Sequence, residues 1–172
     1  MKNFNFPVSN SRYPITILGI DPGFAIVGYG IIEKDKRGDL KVIDYGAIVT
    51  SAKLPFVNRL AQIHKELKNI IKKYKISNMA VEELFFSKNV KTAIEVGQAR
   101  GVIMLTGIQA GLEVEEYTPL EVKQAVASYG RAEKQQVQQM VKLLLNLKKI
   151  PRPDDVADAL AVAICAASSV KF

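Results

Sequence analysis

The chain has one cysteine, one histidine and no apolar run approaching the ~20 residues that a membrane span needs. The lone Cys165 excludes an internal disulfide and any cysteine-built metal site; it sits in an apolar stretch, where packing is its expected role. This cysteine usage fits a cytosolic protein. His64 falls on the apolar stripe of a predicted helix, so we expect it to pack or cap, which leaves no free imidazole for chemistry. Met1 to Pro14 lacks the apolar core of a signal peptide; it is polar, contains Pro7 and Pro14, and reads as a flexible extension over 1–14. Internal repeats and low-complexity segments are also missing.

What remains is ordinary for a globular chain: 172 residues, 48% hydrophobic and 24% charged, enough for one domain with a real core. The charge balance is less ordinary. Lys and Arg number 24 against 17 Asp and Glu, a net charge of +7. That excess favours polyanionic partners, nucleic acid first and an anionic membrane surface second.

Periodicity predicts the element order. Ile15 to Ile20, Ile26 to Ile32 and Val42 to Thr50 are short β-rich runs, separated by Asp21-Pro22-Gly23 and by a polar turn over 35–39, so an antiparallel meander is expected. Val57, Leu60, Ala61, His64, Leu67, Ile71 and Tyr74 then recur at helical spacing. Met79 to Leu84 reads as a buried strand, Val90 to Ala110 as a long helix and Glu113 to Tyr117 as a fifth strand. Thr118, Pro119 and Glu121 form a helix-start signature. The apolar stripe through Val137, Met140, Val141, Leu144 and Leu145 predicts another helix. Asp155 to Ser169, apolar on almost every face, predicts a buried one. The fold class is therefore α/β, a mixed five-stranded sheet flanked by helices. A crossover through the 57–74 helix puts the 78–83 strand parallel to the first strand, with both C-terminal ends on one edge.

Carboxylates gather at that edge. Asp21 ends the first strand and Glu82 the fourth, both beside apolar runs where a carboxylate is costly without a partner. Asp155 and Asp158, three apart in the first turn of the buried helix, share a face, and the helix N-terminus favours their ionised forms. Asp154 is a candidate N-cap or a further ligand. Converging carboxylates repel one another, and a hard divalent cation relieves that repulsion; Mg²⁺ prefers such oxygen ligands. Two ions roughly 3.5–4 Å apart can activate water and stabilise the leaving oxygen in phosphodiester hydrolysis. Taken singly, each feature has a plainer explanation: a turn, a cap, a solvated strand end.

The motifs also resemble a known family. Gly19-Ile20-Asp21-Pro22-Gly23, followed by Gly28-Tyr29-Gly30, resembles the opening of RuvC resolvases, and Val81-Glu82-Glu83-Leu84-Phe85 with Lys88-Asn89 resembles their second motif. Gly97-Gln98-Ala99-Arg100-Gly101 resembles their long helix, Val122-Lys123-Gln124 and Ala132-Glu133-Lys134 their basic segments, and Asp155-Val156-Ala157-Asp158 their closing acidic motif. The match runs from 15 to 169, and ordered motifs over a whole chain are far more specific than any one alone.

The resemblance implies an RNase H-like nuclease domain over 15–172, a cytoplasmic bacterial homodimer, and paired symmetric nicks that resolve four-way DNA in recombination and repair. It implies Asp21, Glu82, Asp155 and Asp158 as catalytic metal ligands for Mg²⁺, two ions per site, with Mn²⁺ as a substitute. It implies Phe85 as a base-stacking aromatic, Lys123 and Lys134 near the DNA backbone, and RuvA and RuvB as partners.

Other basic residues divide between two roles. Lys123, Arg131 and Lys134 flank the Ser128-Tyr129-Gly130 turn and suit phosphate binding; Lys88, Lys91 and Arg100 fit either a DNA contact or a solvated helix face. Lys148, Lys149 and Arg152 lie in a basic loop before the last acidic pair. Gly97 and Gly101 suit either a subunit contact or packing on the sheet. Three rival functions remain: an actin-like or sugar-kinase-like ATP binder, a noncatalytic DNA-structure binder, and an RNase H-like nuclease acting on RNA–DNA hybrids. The first needs a second phosphate-binding loop of Asp-Gly-Gly type, which the sequence lacks, and the second has no use for four placed carboxylates.

Overall fold

The computed structural model describes residues 14–84 and 90–170. Phe85, Lys88 and the first 13 residues of the expected extension lie outside them. Five strands and five helices follow in the order β1 (Ile15–Asp21), β2 (Ile26–Lys34), β3 (Leu40–Val49), α1 (Phe56–Tyr74), β4 (Asn78–Glu82), α2 (Val90–Gln109), β5 (Glu113–Tyr117), α3 (Pro119–Ala127), α4 (Lys134–Leu144) and α5 (Asp154–Ser169).

The first three strands form the expected meander because their connections are too short for anything else. The 35–39 turn is closed by the Asp35 carboxylate, which accepts from the Arg37 and Asp39 amides at 2.8 and 2.9 Å. Helical crossovers then return β4 beside β1 and β5 beside β4, both parallel, giving the order β3-β2-β1-β4-β5. Strand alternation sorts the side chains. Leu18, Ile20, Met79 and Val81 face a core shared with α1 and α2; Ile17 and Ala80 face a second core built with α3, α4 and α5.

Helix α5 is buried over eleven of its sixteen residues, because the sheet covers one side and α3 and α4 cover the other. Its approach to the sheet depends on glycine. A Cβ on Gly19 would lie 2.2 Å from the Ala159 carbonyl oxygen, and one on Gly28 would lie 2.0 Å from that of Asp155. At the other end, the buried Lys34 donates to the carbonyls of Ala167 and Val170 at 2.6 and 3.1 Å, a cation on the negative end of the helix dipole. The helix starts one residue earlier than the periodicity predicts: Pro153 takes the N-cap position and Asp154 is already helical. Asp154 is therefore not the cap. The expected capping box at Thr118 and Glu121 is formed, and Cys165 is buried.

Candidate active site

Asp21 and Glu82 arrive together by register. Ile20 pairs with Val81 across the parallel β1–β4 ladder, so the next residue on each strand is an acid. Since Ile20 and Val81 face the α1/α2 core, alternation turns both acids to the α5 side. There the first turns of α5 deliver Asp155 and Asp158, held against the sheet through Gly28 and Gly19.

The electrostatics record the convergence. Burial, followed by the charges of Glu82, Asp158 and Asp155, pushes the Asp21 carboxyl up to about 8. Burial and the Asp158 charge push Glu82 up to about 7, against the pull of Lys134 and Lys123. Burial also raises Asp158, opposed by its hydrogen bond to Lys134. The Lys134 ammonium stands 2.7 Å from Asp158 Oδ2 and 3.7 Å from Asp154 Oδ2. Burial disfavours its charge, but these carboxylates and Asp21 outweigh burial and raise its pKa. Beside the acids lies a cleft of about 210 Å³, lined by Glu82, Asp158, Lys123 and Lys134, with Pro119 and Val122 among its walls.

Among the described residues, no three acid, thiol or imidazole groups stand in ready-made ligand geometry. Asp158 is instead paired with the Lys134 ammonium. The donor set nevertheless fits a hard divalent cation. It is all carboxylate oxygen, its two strand-borne members resist ionising because they are buried and stand among other acids, and a protein cation has already been drawn in.

The family model described as crossover junction endodeoxyribonuclease RuvC matches residues 17–166. The chain belongs to the RuvC family. It is 64% identical over 158 residues to the RuvC of Halothermothrix orenii, covering 92% of this chain and 95% of the relative. The Clostridioides difficile RuvC is 61% identical over 156 residues, covering 91% and 92%. Among solved structures, Thermus thermophilus RuvC in complex with Holliday junction substrate is 34% identical with a TM-score of 0.83, covering 88% of this chain and 92% of that one. The yeast mitochondrial resolvase Ydc2, at 14% identity and a TM-score of 0.67, shares the fold. That fold is RNase H-like, as the sequence motifs led us to expect.

The RuvC match takes in every candidate site residue of the sequence analysis. Asp21, Glu82, Asp155 and Asp158 come together, with Lys123 and Lys134 beside them. Arg131 is exposed on the turn between α3 and α4, outside the cleft lining. Asp154 is engaged by Arg152 and Lys134. His64 packs as expected, its Nδ1 2.9 Å from Thr106 Oγ1 on α2. Two arginines act as supports that the sequence pattern does not signal. Arg59 donates to Thr50 Oγ1 at 2.9 Å and to the Phe24 carbonyl at 3.3 Å while covering the Phe24 ring, which fixes the turn after Asp21. Arg100 binds the backbone of Glu82 and is no solvated surface residue. No periodicity signals such contacts, because they join residues far apart in sequence.

Proposed function

We propose that this chain is a divalent-metal-dependent endodeoxyribonuclease that resolves Holliday junctions by paired symmetric nicks. The observation that carries the reading is the meeting of Asp21, Glu82, Asp155 and Asp158 beside a lysine-lined cleft, in a chain of the RuvC family. The Thermus thermophilus relative bound to a Holliday junction supports the substrate class.

The four carboxylates are the groups that would hold Mg²⁺, two ions per site, with Mn²⁺ as a substitute. Bound there, the metal supplies Lewis-acid activation of water and stabilises the leaving oxygen. The chain's own residues do the rest. Lys123 and Lys134 attract the phosphate backbone into the cleft. Asp21 and Glu82, unwilling to ionise alone, give up protons when positive charge arrives. Lys134 is then released from Asp158 to a phosphate. Phe85 as a base-stacking aromatic, and Lys88 and Arg131 as outer backbone contacts, complete the reading.

The molecule acts as a homodimer. Ile94, Gln98, Gly101, Leu105 and Ile108 form a stripe along α2 at alternating spacings of four and three, and Ile94 and Leu105 are more than half exposed. A Cβ on Gly101 would meet nothing within 4 Å, so the sheet has no need of that glycine. A second copy of the same helix fits such a stripe and would place two sites on one junction. Residues 15–172 make one nuclease domain behind a 1–14 extension. A bacterial cytoplasmic setting, with RuvA and RuvB as partners, is what the family resemblance implies for it.

The test is nicking of a synthetic four-way junction with and without Mg²⁺, beside an RNA–DNA hybrid duplex. We expect junction nicking that needs the metal, and a loss of about 100-fold or more in Asp21→Asn with junction binding intact. Near-normal cutting by that variant would refute the assignment, and preferential cutting of the hybrid would favour the rival nuclease.

A further inference from the structure

We propose that Arg100 is a positioning residue for Glu82, fixing the backbone at the end of β4 so that the carboxylate is presented to the cleft. The inference rests on the metal-dependent nuclease reading above.

Strand β4 stops where its ladder fails. Glu83 donates its amide to the Tyr117 carbonyl at 2.8 Å, on the β5 side. By alternation, the peptide groups of Glu82 turn the other way, toward β1. There β1 has ended at Asp21, and the next residue is Pro22, which has no N–H to offer. The Glu82 carbonyl is thus left without a ladder donor at the point where the chain must hold a carboxylate steady.

Arg100, reaching from α2, fills that vacancy. Its Nε donates to the Glu82 carbonyl at 3.3 Å, and its terminal nitrogen pairs with Glu116 on β5. The side chain is only 18% exposed, so the two contacts fix a withdrawn guanidinium. Because Glu116 balances its charge, Arg100 makes no claim on the Glu82 carboxylate. The cations acting on that carboxyl are Lys134 and Lys123. Arg100 therefore works through the main chain and leaves both carboxylate oxygens free for a ligand. It also ties Glu82 to α2, the helix that carries the exposed stripe.

The test compares the full-length wild type with Arg100→Ala and Arg100→Lys. Mn²⁺ binding is titrated calorimetrically without DNA, amide hydrogen exchange is followed over 78–84, and a four-way junction is offered for binding and cleavage. We expect Arg100→Ala to weaken Mn²⁺ binding by about tenfold, the usual range for a group supporting a ligand. Exchange should quicken at Glu83 and Leu84 while junction binding stays unchanged. Arg100→Lys, which keeps one donor and loses the fork, should fall between. Wild-type Mn²⁺ affinity and exchange in Arg100→Ala would overturn the proposal. If that variant does not fold, Arg100→Lys decides alone, and wild-type behaviour in it overturns the proposal equally. A wild-type chain that neither binds Mn²⁺ nor cuts the junction would instead remove the nuclease reading itself.

Discussion

Asp21 and Glu82 hold protons in the fold that the unfolded chain gives up near pH 4. Their raised values, about 8 and about 7, fix the sign of two pH effects. Between pH 4 and 8 these two carboxyls bind more protons in the folded state than in the unfolded one, so their contribution to metal-free stability is greatest at the acid end and falls as pH rises. Divalent cations must displace those protons, so metal affinity should climb over the same range and be largely gained by pH 8. A calorimetric Mg²⁺ titration at pH 6 should give affinity weaker by about tenfold or more than at pH 8, with proton release measured in buffers of different ionisation enthalpy. Equal affinity at the two values would count against the site. The lysines belong to the same scale. Lys123→Ala should weaken junction binding and reduce the slope of log K against log salt by about one unit; an unchanged slope removes Lys123 from the interface. Lys134 is less clean, because its loss also frees Asp158.

Among the elements, α5 governs the candidate site, since it is core on most of its surface and carries its two proposed ligands, Asp155 and Asp158, only at its first turns. The apolar sequence of α5 explains its burial, whereas its depth is set by glycines on other strands. Gly19→Ala would drive a Cβ into the Ala159 carbonyl oxygen and the Ala163 nitrogen, at 2.2 and 2.5 Å, and backbone cannot step aside as a flexible side chain can. We expect a loss of about 1–3 kcal/mol in thermal or urea unfolding, with weakened metal binding as Asp155 and Asp158 move off the sheet. A variant as stable as wild type would show that α5 can shift without cost. The turn after Asp21 has comparable support, because Thr50 and Arg59 both donate to the Phe24 carbonyl.

For the whole molecule, the surplus of positive charge and the acid cluster serve different distances. The net charge of +7 favours a polyanion at long range, and in the proposed mechanism the carboxylates act only where a metal can offset them. Paired cutting also needs two sites in fixed relation. Leu105→Glu, on the exposed stripe of α2, should yield a monomer in analytical ultracentrifugation at micromolar concentration, with the melting temperature of the isolated fold little changed. Junctions should then be nicked on one strand without coordinated cutting of the other. Unchanged sedimentation would remove this stripe as the proposed subunit contact.

The sequence alone determined the element order, because its apolar periods switch cleanly between two and 3.6 and its turns carry their own chemistry at Asp35, Gly38 and Thr118. It also marked Asp21, Glu82, Asp155 and Asp158, since carboxylates beside apolar runs are rare enough to stand out. Tertiary structure alone decided that Lys134 would hold Asp158, that Arg59 and Arg100 would brace the strand ends, and that Arg131 would stay outside the cleft. Those outcomes depend on contacts between distant residues made by long, jointed side chains. Local periodicity fixes which way a backbone faces, but it carries no information about where the far end of a lysine or arginine comes to rest.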